Sequence, residues 1–216
     1  VHSIIEFDNY TTRFNGSDLS QNEHDLSSIW DGDYKFEDIS EKDTGGLTWW
    51  GGQIEVNSNS STNWTVVRMS RQDGGKLDLE GFKFKEEGAH TYKLINPSGE
   101  EYEVSTNDSY DSGRGKVDTS ILSEKFSKVS YVDFYSRAIK ETVTERVGPD
   151  PRDTFTMINE ETKWHLDDIQ VTGYVNLAYG MPEDDPDPNT KWKIQNIEIN
   201  YGESSSVDLN TNEDEA

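Results

Sequence analysis

The chain is predicted to be an all-β protein, a two-layer antiparallel β-sandwich, on three observations. Many short segments alternate apolar and polar side chains, which is the period of a strand with one buried face. Clusters of Gly, Asn, Ser and Pro separate these segments at regular intervals, and helical periodicity is almost absent. Hydrophobic residues form only 31% of the 216 residues, so six Trp, ten Tyr and eight Phe must supply most of the core.

A single β-sandwich domain over residues 1–201 accounts for these segments. Strands or extended segments are predicted at 1–8, 48–56, 64–70, 76–84, 89–95, 101–106, 116–123, 126–136, 160–173, 174–179 and 192–201. Residues 10–43 are predicted to form a long loop with one helical turn near 20–28, and residues 137–153 an exposed loop. Residues 202–216 contain no aromatic residue and are expected to form an acidic disordered tail or a linker.

In one predicted strand, two acidic residues interrupt the alternation of apolar and polar side chains. Trp164 and Leu166 alternate with polar neighbours, but the next apolar residue is Ile169, so the parity slips by one at Asp167-Asp168. A β-bulge at these two acids explains the slip and changes the direction in which one carboxylate points. Because an unpaired buried carboxylate is very costly, we expect a counter-charge here and favour Ca²⁺.

Two further predicted strands slip in the same way. The slip lies at Gly81 in 76–84, where a glycine in the left-handed region suits a bulge, and at Gln195-Asn196 in 192–201. Three bulged strands indicate a strongly curved sheet. The sequence Asn96-Pro97-Ser98-Gly99 predicts a turn that joins two strands into a hairpin.

Two stretches resemble a known class of domain. Trp-His-Leu-Asp-Asp-Ile-Gln-Val at 164–171 resembles the last strand of galactose-binding-like domains and carbohydrate-binding modules of secreted bacterial or archaeal proteins, and Ser-Ile-Ile-Glu-Phe-Asp-Asn at 3–9 is similar to their first strand. The resemblance implies a jelly roll, an extracellular or cell-surface location and a structural calcium shared by the two ends of the fold.

The predicted calcium site draws on both ends of the domain. Carboxylates of Glu6 or Asp8 on the first strand and of Asp167 or Asp168 on the strand predicted at 160–173 would bind the ion together with backbone carbonyl oxygens. The alternative is that these acids are surface residues or pair with Lys and Arg.

The charge of the chain argues against several classes of partner. With 43 acidic and 20 basic residues the net charge is -23, which argues against nucleic acid and anionic membrane surfaces. No apolar run approaches the length of a membrane span, and the absence of cysteine excludes disulfides and thiol catalysis. A glycan, or neighbouring copies of the chain, are the partners we expect.

Three tryptophans are the candidate ligand-binding residues. Trp49 and Trp50 are adjacent, so in a strand only one of them can face the core, and Gly51-Gly52 would allow close approach of a ligand. Trp64 is the third candidate. The alternative is that all these rings pack beneath the long amino-terminal loop.

Five Asn-x-Ser/Thr triplets are candidate glycosylation sites, although a chain so rich in Asn, Ser and Thr also produces them by chance. They begin at Asn9, Asn15, Asn59, Asn63 and Asn107.

No catalytic residues are assigned, because the acids at strand spacing are too common to be informative and no metal-binding His pair is present. Three functions therefore stay open. The first is a non-catalytic, extracellular carbohydrate-binding module with structural Ca²⁺. The second is a surface or matrix structural protein, such as an adhesin module or a filament subunit, and the third a polysaccharide-degrading enzyme on the same fold.

Overall fold

A computed structural model describes residues 1–7, 12–14, 17–18, 23–41, 44–88, 90–104, 109–110, 114–117, 119–152 and 154–175. All of them belong to one compact unit, Val1–Tyr179. The predicted strand at 192–201 and the predicted tail at 202–216 lie outside the described residues, so the predicted domain boundary stays a prediction.

Strands dominate the described chain. In order they are β1 (His2–Ile5), β2 (Thr12–Phe14), β3 (Ser17–Asp18), β4 (Glu23–Leu26), β5 (Ser28–Asp31), β6 (Tyr34–Asp38), β7 (Gly45–Trp49), β8 (Ile54–Ser58), β9 (Thr65–Arg71), β10 (Lys76–Glu87), β11 (His90–Ile95), β12 (Glu101–Val104), β13 (Ser109–Tyr110), β14 (Arg114–Val117), β15 (Tyr131–Ala138), β16 (Glu141–Arg146), β17 (Thr154–Asn159) and β18 (Thr162–Tyr174). Helix α1 (Thr119–Lys125) lies between β14 and β15.

The strands form two large antiparallel sheets. Sheet A has the order β13-β14-β10-β18-β8-β7-β4, and β1 also pairs with β18; sheet B has the order β12-β11-β15-β9-β6-β5-β2-β3. Strands β16 and β17 form a separate two-stranded ribbon. The chain passes repeatedly from one sheet to the other, as in a jelly roll. The predicted all-β, two-layer antiparallel sandwich is confirmed.

The predicted bulge in β18 is present. The register between β18 and β10 shifts between Gly81 and Lys83, and at the β18 side of this shift Asp168 has a φ of 45°. As a result Leu166 and Ile169, on either side of the acid pair, both face the core and are buried. The parity slip therefore identified a real irregularity of the backbone.

In β10, Gly81 lies between this register shift and a second one, which falls between Leu79 and Gly81. The prediction that it adopts the left-handed region is wrong, because its φ is not positive. A side chain is excluded for another reason: a Cβ at Gly81 would lie 2.8 Å from the carbonyl oxygen of Val117 on β14. The two slips seen in the sequence are thus neighbours across one ladder.

The core between the sheets is aromatic, as predicted. Trp164 of sheet A stacks on Tyr92 of sheet B with ring centroids 4.6 Å apart and an interplanar angle of 7°. Phe82 and Phe134 contact the same indole from the two sheets, with centroids 6.0 Å and 5.7 Å away. These rings join the layers at the centre of the sandwich.

Several predicted connections are wrong. Residues 10–43 contain β2 to β6 rather than a loop, and the predicted helical turn near 20–28 is replaced by β4 and β5, whose Leu26 and Ile29 are buried. Residues 137–153 contain β16, and residues 116–123 contain the end of β14 and most of α1. Strands this short include too few alternations for periodicity to mark them.

The predicted hairpin of β11 and β12 is confirmed. The N–H of Gly99, which has a φ of 81°, donates to the carbonyl oxygen of Asn96 at 2.9 Å. The Asn96 side-chain oxygen accepts from the N–H groups of Ser98 and Glu100 and closes the turn.

Among the described residues no helix has the length and apolar composition that a transmembrane helix requires.

Candidate functional site

The outer face of sheet B carries a group of aromatic and charged side chains on its central strands. Strands β11, β15 and β9 are adjacent, so residues distant in sequence become neighbours on this face. We call the group the platform; it consists of Trp64, Arg68, Lys93, Tyr131, Asp133, Tyr135 and Arg137.

Strand alternation determines which side chains join the platform. In β15 the side chains of Val132 and Phe134 are completely buried in the core, so Tyr131, Asp133 and Tyr135 project from the opposite face. The same alternation in β9 and β11 turns Arg68 and Lys93 outward.

Arg68 and Asp133 form a bidentate ion pair across the β9–β15 ladder. Arg68 Nε lies 2.7 Å from Asp133 Oδ1, and its second terminal nitrogen lies 2.8 Å from Oδ2. The hydrogen bonds from Arg68 to this carboxylate raise the pKa of the guanidinium. The guanidinium carbon also lies 3.6 Å from the centroid of the Tyr131 ring, so the planar group is held between a carboxylate and an aromatic face.

Trp64 is the second centre of the platform. Its ring meets Tyr135 edge to face, with centroids 5.8 Å apart. The guanidinium carbon of Arg137 lies 4.3 Å from the Trp64 ring centroid, and Lys93 Nζ lies 4.9 Å from it. Lys93 also donates to Glu101 at 2.8 Å. Arg137, by contrast, has no carboxylate partner within the described part of the chain.

The phenol of Tyr135 remains protonated over the ordinary pH range. Burial raises its pKa, and the negative charge of Asp133 adds to the rise against the opposing effect of Arg68. The platform therefore combines rings, which present apolar faces, with hydroxyl, ammonium and guanidinium donors. Contacts between neighbouring strands hold these groups in place, so a ligand would meet a largely preformed surface.

The structure separates the three predicted tryptophans. Trp49 is only 2% exposed and its indole N–H donates to the carbonyl oxygen of Phe7 at 2.9 Å, so it belongs to the core and the prediction that it binds ligand is wrong. Trp50 is 45% exposed, next to a turn in which Gly51 and Gly52 have positive φ. The expected division of the pair between core and surface is confirmed. Trp64 alone of the three belongs to the platform.

Most of the platform was not predicted from the sequence. Within the predicted strand 126–136, the alternation of Val132 and Phe134 with Tyr131 and Tyr135 was the signal that two tyrosines share an outward face. The sequence around Arg68, Lys93 or Arg137 does not predict that they belong to the platform. They lie next to its aromatic rings only because distant strands pair.

The structure brings only some of the acids predicted to bind calcium close together. Strand β1 pairs with the part of β18 that follows the bulge, which brings Glu6 near Asp167. Asp168 forms an ion pair with Lys83, as the alternative interpretation expected of such acids. Asp8 lies outside the described residues, and no group of three potential ligands with metal-binding geometry occurs in the part of the chain that the structure describes.

Asp167 nevertheless has an unusual environment. Burial raises its pKa, the N–H of Asp168 that donates to it and the charge of Lys83 act in the opposite direction, and the charges of Asp168 and Glu6 raise the pKa further. A cation bound beside this carboxylate would favour its ionised form.

The outer face of sheet A carries a pair of buried polar side chains, His165 and Glu55. His165 Nδ1 lies 3.0 Å from Glu55 Oε1, and both side chains are buried. Burial would raise the pKa of Glu55, but the hydrogen bond and charge of His165, with a hydrogen bond from Asn57, lower it below its usual value. The pair is a buried link between β18 and β8.

Two of the predicted glycosylation sites are described. Asn59 is exposed and Asn63 is half-buried in the connection between β8 and β9. The sites at Asn9, Asn15 and Asn107 lie outside the described residues.

No protein-family model and no curated protein matches the chain. Similar solved structures include a family 29 carbohydrate-binding module, at 16% identity over 81% of this chain and 89% of that one, with a TM-score of 0.38. Substituted modules of family 29 in complex with mannohexaose and with cellulohexaose are 18% and 17% identical over 72% and 77% of this chain and 91% and 94% of theirs, with TM-scores of 0.34 and 0.36. The likeness assigns neither family nor function, and the β-sandwich assignment rests on the chain's own two sheets.

Proposed function

We propose that the chain is a non-catalytic carbohydrate-binding module of an extracellular or cell-surface protein and that the platform of sheet B binds the glycan. The observation that carries the proposal is the contact of Trp64 and Tyr135 with each other and with the cations of Lys93 and Arg137 on one sheet face. Aromatic faces pack against the apolar C–H faces of sugars, and the polar groups beside them hydrogen-bond to hydroxyls.

A neutral glycan suits this surface better than an acidic one. The net charge of -23 repels polyanions at long range, although salt weakens the repulsion. Locally, the charges of Arg68 and Lys93 are already balanced by Asp133 and Glu101. Arg137 remains as a donor to hydroxyl oxygens.

The direct test is calorimetric titration of the 216-residue chain with a panel of oligosaccharides. The panel contains mannohexaose, cellohexaose and other neutral hexasaccharides, with oligouronates as the acidic arm. We expect saturable binding to a neutral member and weaker binding to the uronates. Absence of binding to every member would remove the proposal. Release of reducing ends or of unsaturated products would instead favour the alternative, a polysaccharide-cleaving enzyme.

The structural calcium is a separate proposal, supported by the raised pKa of Asp167 next to Glu6. If Ca²⁺ binds only the folded chain, an excess of one hundred times the dissociation constant adds about 2.7 kcal/mol. Removal by EDTA should then lower the melting temperature by about 5–10 °C for a domain of this size. The Asp167→Asn variant should melt at the same temperature with and without EDTA. An unchanged melting temperature of the unsubstituted chain would exclude the site.

A further inference from the structure

The two-stranded ribbon of β16 and β17 is separate from both sheets of the sandwich. Six residue pairs join its strands, from Glu141 opposite Asn159 to Arg146 opposite Thr154. The ribbon leaves the sandwich between β15 and β18, where Ala138 is buried. Beyond that point the ribbon side chains whose burial is described are solvent-exposed, apart from the half-buried Asn159.

Both faces of β17 expose large apolar side chains. Phe155 and Met157 alternate onto one face with 54% and 44% exposure, and Ile158 lies on the other with 61%. An isolated two-stranded ribbon is only marginally stable in water, and three or more strands are usually needed for stability. Among the described residues, no third strand pairs with the ribbon to stabilise it.

The free edge of β17 is also without the protection that edge strands usually have. Natural edge strands carry charges, prolines or bulges that block pairing with another chain. In a chain in which 29% of residues are charged, β17 has the sequence Thr-Phe-Thr-Met-Ile-Asn, with no charge and no proline. Its partner β16 carries Glu141, Glu145 and Arg146. Within the described residues β17 pairs with β16 alone.

We propose that β17 is a self-association edge through which two copies of the chain pair antiparallel. The product is a four-stranded ribbon in the order β16-β17-β17-β16, with a two-fold axis at its centre. Antiparallel pairing of one strand with itself satisfies the symmetry that most homodimers have. It adds backbone hydrogen bonds on the open edge, as in other complexes formed by strand addition.

One register of this pairing joins the exposed apolar groups. With Thr156 on the two-fold axis, Phe155 lies opposite Met157 of the second copy, and Met157 lies opposite Phe155 of the second copy. Side chains directly opposite in an antiparallel pair share a face. Four apolar side chains then form one continuous strip across the new ladder, with aromatic–sulfur contacts.

Charge favours a second copy at this edge over contact elsewhere on the surface. Two chains that each carry a net charge of -23 repel each other, and the repulsion is smallest where the contacting segments have no charge. The charged β16 strands would lie three strand spacings apart, about 14 Å. That separation exceeds the Debye length of about 8 Å at physiological salt, so their charges are largely screened.

Sedimentation velocity of the 216-residue chain over a wide concentration range tests the proposal. The unsubstituted chain should pass from monomer to dimer as concentration rises. Thr156→Lys and Thr156→Glu place like charges opposite each other, and each should raise the dimer dissociation constant on the order of tenfold. An equimolar mixture of the two variants places Lys opposite Glu and should restore the dimer.

Thr144→Lys is the matched control. Thr144 lies opposite Thr156 within the ribbon, on the strand that does not form the new interface, and its hydroxyl lies 3.2 Å from that of Thr156. This variant should dimerise like the unsubstituted chain. A monomer at every concentration, a mixture that stays monomeric, or equal disruption by Thr144→Lys would each overturn the proposal. Far-ultraviolet circular dichroism verifies that every variant is folded.

Discussion

Replacement of Trp164 by Ala is expected to lower the free energy of unfolding by about 3–5 kcal/mol. The Trp164 side chain is completely buried, stacks on Tyr92 and contacts Phe82 and Phe134. Because the two sheets meet at this ring, neither can close the cavity without moving the other. Denaturant unfolding followed by circular dichroism measures the loss, which should appear as a lower midpoint with an unchanged slope.

Trp164→Phe separates the effect of the aromatic ring between the sheets from the effect of the buried indole N–H. The Trp164 indole N–H is buried and has no hydrogen-bond acceptor among the described residues, which destabilises the folded state. Replacement by Phe removes this unpaired donor and so offsets part of the stability lost with the larger ring. The Phe variant keeps an aromatic ring between the sheets and should lose roughly half as much stability as the Ala variant. Trp50→Ala, at an exposed ring, should change stability by less than about 0.5 kcal/mol. Equal losses for Trp164→Ala and Trp50→Ala would contradict the assigned core.

Long strands were predictable because they repeat a pattern many times. The slip at Asp167-Asp168 was visible in the sequence because β18 has thirteen residues and shows two apolar residues on each side of it. The strands between Thr12 and Asp38 have five residues or fewer, so their sequence does not distinguish them from the predicted loop. For β16 and β17, burial supplies no pattern, because both faces of β17 are exposed.

The site was predictable only where one strand determines it. Leu47 and Trp49 have the same parity and are both buried, so alternation alone could have assigned Trp49 to the core. The contact between Arg68 and Asp133 depends on the register of β9 against β15, whose residues are 65 positions apart in the chain. Register between distant strands arises from packing of the whole sandwich, and no local pattern contains it.

Loss of the Trp64 ring is expected to abolish most of the glycan affinity. As the ring at the centre of the platform, in contact with Tyr135, Arg137 and Lys93, Trp64 has the position of a binding hot spot. Truncation of such an aromatic residue typically costs at least about 2 kcal/mol, which is about a thirtyfold increase in dissociation constant. The measurement is calorimetric titration of Trp64→Ala with the neutral oligosaccharide that the unsubstituted chain binds most tightly.

Trp50→Ala is the matched control for this variant, because it removes the same side chain from an exposed position that follows β7 of sheet A. Its affinity should equal that of the unsubstituted chain. Trp64→Phe keeps an aromatic face and should retain a measurable part of the binding, whereas a role of Trp64 in stability alone would leave the affinity of folded Trp64→Ala unchanged. If Trp50→Ala loses binding while Trp64→Ala keeps it, the ligand lies on the exposed turn of sheet A and the assignment to sheet B is wrong. Binding that survives both substitutions would place the glycan away from Trp50 and Trp64.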